Sequence, residues 1–177
     1  MPVTINGTSG LVTATSYAGS GGDLTGITTG KILQVVQTVK TDAFSTTSTS
    51  FVDITGLSVD ITPSSTNSKI LVTATIDAFA QRTNSYNSMS LVLLFKDSTA
   101  LIGGHMRGRI DNSDTANYFN SGGHVSLKYL DSPSTTSQLT YKVKGVNWAG
   151  NSTLFVNNET GNTYYAKSTI IAQEVAA

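Results

Sequence analysis

KILVTATIDAFAQ, residues 69–81, alternates without interruption. Ile70, Val72, Ala74, Ile76, Ala78 and Ala80 share one parity, while Leu71, Thr73, Thr75, Asp77 and Phe79 take the other. A period of two residues over this length is that of a β-strand with one face against a core. The stretches on either side repeat the pattern. SFVDITGLSVDIT (50–62) alternates in two halves with Gly56 between them, which predicts a strand whose register is reset by a bulge. TPSSTNS (62–68) is a turn by composition. MSLVLLFKD (89–97) is continuously apolar and reads as a central strand covered on both faces.

Further strands are predicted at 31–40, 99–109, 124–130, 138–148, 152–156 and 168–175, with RTNSYNS (82–88) as a loop. No segment sustains a helical period over three turns. Short strands with turn signals every 8–12 residues or so imply a sandwich or barrel rather than an α/β fold. The expected fold is all-β, a jelly-roll-like β-sandwich over residues 31–177 with an extended N-terminal arm over residues 1–30.

Composition agrees and excludes several classes of function. Charged residues are 12% of the chain, against a usual value of about 25%, and Ser and Thr exceed a quarter of it. With 38% hydrophobic residues this is not a disordered composition. The 11 basic and 11 acidic side chains cancel and are scattered singly. Nucleic acid is therefore not an expected partner, since its binders carry a basic patch or stripe. Nor is a membrane, for lack of a polybasic segment or a run of 18 apolar residues. The first residues lack the basic and apolar regions of a secretory signal, so synthesis in a cytoplasm is expected. There are no cysteines, hence no disulfide frame and no thiolate chemistry.

Residues 1–30 have a different texture. Ile5, Leu11, Val12, Leu24 and Ile27, with Tyr17, are strung at wide intervals through Gly, Ser and Thr. Burying five apolar side chains contributes ~8–15 kcal/mol, whereas fixing thirty backbone residues costs ~30–60 kcal/mol. The segment cannot order itself alone. An arm that docks on another polypeptide, for example by β-addition to a sheet edge, is the expected arrangement.

Candidate sites of chemistry are few. GGH occurs at 103–105 and again at 122–124. If strands 99–109 and 122–130 form a hairpin with DNSDTANY (111–118) at its tip, His105 and His124 face each other. Such a pair can grip a metal or sense pH, but a metal needs more ligands than two histidines. The competing and preferred reading is that the glycines open a notch where another strand passes closely. DNSD (111–114) offers oxygen ligands without the glycine and distal Glu of a calcium loop. No Ser-His-Asp or paired-carboxylate arrangement stands out, Asp77 and Asp97 included, so neither an enzyme nor a cofactor is expected. Most tyrosines are expected to bury their rings with bonded hydroxyls. Tyr86, Asn112 and Tyr118, in polar loops, are the residues left to face a ligand such as a host glycan.

MPVTINGTSGLVTATSY, GKILQVVQTVKTD and TSTSFVDITGLSVDITPSSTNSKILV, with the ending STIIAQEV, resemble a family of small β-rich virion proteins of tailed phages of aquatic bacteria. The resemblance is strongest over about residues 1–75. It implies a short N-terminal segment bound to the particle, a β-sandwich presented outward, and a homotrimer. The expected partner is then the major capsid protein, or a tail or adaptor protein, of the same particle. Two functions are open. A capsid decoration or cement protein is preferred because the chain is short and has no repetitive shaft. A short tail fibre or adhesin that touches host glycans through its loop tips is the alternative.

Overall fold

The alternating stretch 69–81 lies at the centre of the molecule. In the computed structural model, which describes residues 31–82, 87–109, 119–148, 150, 152–157 and 167–177, it forms β4 (Lys69–Arg82). The parity picked out by periodicity points inward, and Ile70, Val72, Ala74, Ile76, Ala78 and Ala80 are all fully buried. Each such aliphatic side chain from Val upward contributes roughly 1.5–3 kcal/mol by leaving water. The other strands are β1 (Ile32–Lys40), β2 (Phe44–Thr46), β3 (Val52–Ile61), β5 (Asn87–Lys96) and β6 (Thr99–Arg109). They are followed by β7 (Phe119–Asp131), β8 (Leu139–Asn147), β9 (Ser152–Val156) and β10 (Ser168–Val175).

Two antiparallel sheets enclose one core. One runs β1-β10-β4-β9-β2 with β7 on the other edge of β4, and the second runs β3-β8-β5-β6. Setting β2 and β9 aside leaves eight strands, whose pairing is that of a long hairpin wrapped on itself. The first pairs with the last (β1 with β10), the second with the seventh (β3 with β8), the third with the sixth (β4 with β7), and the fourth with the fifth (β5 with β6). Successive pairs alternate between the sheets. This is the double Greek key of a jelly roll, so the expected fold class is the observed one.

Two details show how the chain solves local problems. The register of β3 against β8 shifts between Asp53 and Ser58, where Gly56 sits at φ +80°. That backbone state is open to glycine and costly for L side chains, so the predicted bulge is where the sequence placed it. The second problem is on β4, whose edge is shared. β10 pairs with residues 69–75 and β9 with 78–82. At the gap, the Asp77 amide donates to Ser168 Oγ (3.0 Å) and the Asn157 amide donates to the Asp77 carbonyl (3.0 Å). The Ser168 hydroxyl donates to Asn157 Oδ1 (2.7 Å), and Asn157 Nδ2 donates to the Lys40 carbonyl (2.8 Å). Side chains thus complete the ladder where strand pairing lapses.

β2 was not expected from the sequence. Three residues inside TDAFSTTSTS carry no period, and the Ser/Thr content reads as loop; pairing with β9 makes the strand. β7 is also longer than predicted, because β4 pairs with it through Gly122 and Gly123 out to Phe119. Among the described residues, no helix is long and apolar enough to cross a membrane.

Candidate interaction face

β10 shows how the outer surface of the first sheet arises. Ser168, Ile170, Ala172 and Glu174 are buried, so Thr169, Ile171, Gln173 and Val175 point outward. The registers then line up three rungs across the sheet. They are Val35–Gln173–Leu71–Leu130, Gln37–Ile171–Thr73–Lys128 and Val39–Thr169–Thr75–Ser126. Lys128 is the one charged residue in these rungs. Further along β4, Asp77 stands opposite His124. Beyond it Phe79 stacks on Phe155 of β9, with ring centroids 5.0 Å apart at 17°.

Much of this face is apolar and open to water. Val35 is 57% exposed, Leu130 52%, and Leu33 and Val39 46% each. β1 is also the terminal strand of its sheet, and ILQVVQTV (32–39) holds neither charge nor proline. Edge strands that must stay single are usually guarded by Lys, Pro or inward charges. Between its ends β1 has none of these.

The inward side of β1 is firmly held. Near its start Gln34 Nε2 donates to Glu174 Oε2 and to the Thr62 carbonyl, both at 2.7 Å. The amide and hydroxyl of Ser64 both donate to Glu174 Oε1 at 2.7 Å. Burial pushes the Glu174 carboxyl up, but the donors from Ser64 and Gln34 outweigh it and hold the pKa down at about 2. At its end the Lys40 side chain is wholly buried, and its ammonium donates to Asp42 Oδ1 (2.9 Å). That hydrogen bond, then one from the backbone amide of Asp42 itself, holds Asp42 below the ordinary carboxylate range. The open edge is therefore pinned at both ends, while its outward side chains Leu33, Val35 and Val39 stand about half exposed.

The opposite sheet finishes its own surface. Phe95 points outward from β5 yet is only 9% exposed, because Phe51 meets it edge-on at 5.9 Å and Lys144 Nζ lies 5.0 Å from its ring centroid. Asp53 bridges Lys142 (2.9 Å) and Lys144 (3.1 Å), and the hydrogen bond from Lys142, helped by that from Lys144, lowers its pKa against the cost of desolvation. The Thr140 hydroxyl donates to Asp60 Oδ1 at 2.7 Å.

The hairpin expected to face His105 with His124 does not form. β6 pairs with β5, which puts His105 opposite Leu91, whereas β7 pairs with β4, which puts His124 opposite Asp77. The two rings stand on different sheets, on opposite outer faces, and cannot share a metal. The glycine-notch reading holds instead. A Cβ at Gly104 would come within 2.7 Å of Val125 Cγ1, and one at Gly122 would run into Phe79 and the Ala78 carbonyl. Among the described residues, no group of three or more His, Asp or Glu side chains is arranged to hold a metal ion. Tyr141 has the expected tyrosine arrangement, a ring with no exposed surface whose hydroxyl donates to Asp131 Oδ2 at 2.7 Å. Asp97 forms the β5–β6 turn with φ 51°, its amide bound to the Thr140 carbonyl, remote from Asp77 in the topology.

The arm residues Ile5, Leu11, Val12, Tyr17, Leu24 and Ile27 lie outside the described residues, as do Tyr86, Asn112 and Tyr118. The sheet face itself was not singled out by sequence reasoning. Its signal was present in the outward parity of β1 and β10, where aliphatic, Thr and Gln side chains stand where a solvated face normally carries charge.

No family model and no curated protein matches this chain. A solved structure of infectious bursal disease virus, Gx strain, aligns with 80% of this chain and 39% of its own, at 15% identity and a TM-score of 0.29. That likeness is too slight to bear on fold or function.

Proposed function

We propose that this chain is a non-enzymatic structural protein of a virion, most specifically a trimeric capsid decoration protein anchored by its N-terminal arm. The observation that carries the reading is the open outer face of the β1-β10-β4-β7 sheet, where half-exposed aliphatic side chains stand among Thr, Gln and Ser with one charge in three rungs. Contiguous apolar surface of this kind marks a site of protein association. A protein built into a shell also tolerates a formal net charge of zero, which gives a free protein little colloidal repulsion. The resemblance of residues 1–75 to small virion proteins of tailed phages supports the same reading.

Quantifying the protein in purified particles tests the reading. Copies in proportion to the capsid shell support decoration, while copies in proportion to a single tail support the fibre alternative. A chain lacking residues 1–27 is expected to remain soluble and to be absent from particles. Normal incorporation of that chain would end the docking-arm reading.

A further inference from the structure

We infer that the outer face of the β1-β10-β4-β7 sheet is filled by further copies of this same chain, packed face to face about a rotation axis. The inference rests on the assembly reading and names the partner at this face. Near any rotation axis a side chain meets its own symmetry mates, so a fixed charge there repels itself. Apart from Lys128 on β7, the three rungs avoid this. Gln37, Gln173, Thr73, Thr75 and Thr169 each donate and accept hydrogen bonds, so each can pair with its own copy, and Val35, Val39, Leu71, Leu130 and Ile171 supply the area. Lys128 and His124 lie on β7, at the opposite edge of the sheet from β1. A capsid surface of unrelated sequence would place no such demand for self-complementarity on the face. Four strands about 4.8 Å apart, paired along β4 from Lys69 to Thr75 at about 3.4 Å per residue, give a projected footprint of roughly 450 Å². This is more than half of the ~800 Å² per partner of a standard interface, and the stacked Phe79 and Phe155 extend the same face toward β9.

The test uses the full chain in sedimentation and light scattering. Wild type is expected to form a closed oligomer. Val35→Glu combined with Leu130→Glu puts charge at both ends of the first rung, on side chains that are already half exposed. This pair is expected to raise the dissociation constant about a hundredfold or more while leaving the far-ultraviolet circular dichroism of the sandwich intact. Ser58→Glu, on the outer face of the other sheet opposite Lys142, is expected to leave the oligomer unchanged. Should the double variant fail to fold, Val39→Lys alone is the second probe, with about a tenfold loss expected. A wild-type chain that stays monomeric at high concentration overturns the inference, as does a folded charged variant of wild-type mass. If free wild type is monomeric and the double variant is lost from particles, the face binds capsid protein instead. If the charged variant stays oligomeric while the chain lacking residues 1–27 is still rejected by particles, the face assignment fails and the docking arm stands.

Discussion

The two outer faces of the sandwich are built from the same alternation and finished in opposite ways. On the β3-β8-β5-β6 sheet, Phe51 and Lys144 cover Phe95, and Asp53 ties down two lysines. These groups are satisfied by the chain itself, although Ile102 on β6 and Trp148 just after β8 stay exposed. On the β1-β10-β4-β7 sheet, polar chemistry is spent inward, on Glu174 and Lys40, and the outward aliphatic side chains are left to water. The composition holds enough charge to cover either face, since Lys142, Lys144, Asp53 and Asp60 all stand on one. The bare face is thus a distribution of residues and not a shortage. A surface that completes itself faces solvent; one that does not is, on the reading proposed above, completed by another molecule.

The comparison breaks most severely at the link that both sheets share. Asp131 at the end of β7 is 6% exposed and lies between the Tyr141 hydroxyl of β8 (2.7 Å) and the Lys96 ammonium of β5 (2.9 Å). Burial, followed by the neighbouring carboxylate, pushes the Tyr141 hydroxyl well above its ordinary pKa, so it stays a donor. Lys96→Met leaves a buried carboxylate with one neutral partner and is expected to cost about 3 kcal/mol in urea unfolding. Combining it with Asp131→Leu should recover part of that loss, because neither charge is then stranded.

The next effect separates the pinned edge of the bare sheet from the rest. The folded pKa of Glu174, about 2, lies below its unfolded value of 4.5. Its contribution is therefore complete above about pH 4.5 and is lost as pH falls toward 2. Glu174→Gln is expected to cost on the order of 2 kcal/mol at neutral pH. The difference between wild type and variant, measured by denaturant unfolding at several pH values, should shrink through that acid window. A difference that stays constant from pH 6 to pH 2 would show that the carboxylate does not hold β1.

The β-sandwich was legible because its signal is local. The parity of residues 69–81 is the burial pattern of β4, and Gly56 is the bulge. What could not be read was which strands become neighbours. GGH at 103–105 and 122–124 looked like two halves of a hairpin, but Leu91 and Asp77 are the residues opposite the histidines. Strand pairing in a jelly roll joins residues far apart in sequence, and no short-range pattern encodes it. The interaction face was hidden for the same reason. Val35, Gln173, Leu71 and Leu130 form one rung, yet they come from four separate segments and look unremarkable in each.

A third variant makes the finished face resemble the bare one. Phe51→Ala removes the ring that meets Phe95 edge-on at 5.9 Å and opens Phe95 to water. The lost aromatic pair and apolar cover together are expected to cost about 1–2 kcal/mol. If the contrast between the sheets is what directs association, this variant should also become more prone to non-specific self-association, seen as a rise in light scattering before thermal unfolding.

The smallest effect is the most telling about how that face is finished. Asp53 is half exposed and accepts from Lys142 and Lys144, partly exposed lysines that stand two residues apart on the same side of β8. Solvent screens such pairs, so Asp53→Ala should cost no more than about 0.5–1 kcal/mol. High salt should erase most of that cost, because it screens the repulsion between the two lysines along with the bridge. The folded pKa of Asp53 is depressed, so its contribution is present above the ordinary carboxylate range and fades in acid, in the same direction as that of Glu174. The two differ in salt. Glu174 is held by short hydrogen bonds from neutral donors, and the penalty of Glu174→Gln should persist at high ionic strength. An Asp53 penalty that also persists would mean that its two bridges act as structure on the closed face and not as a solvated screen of charge.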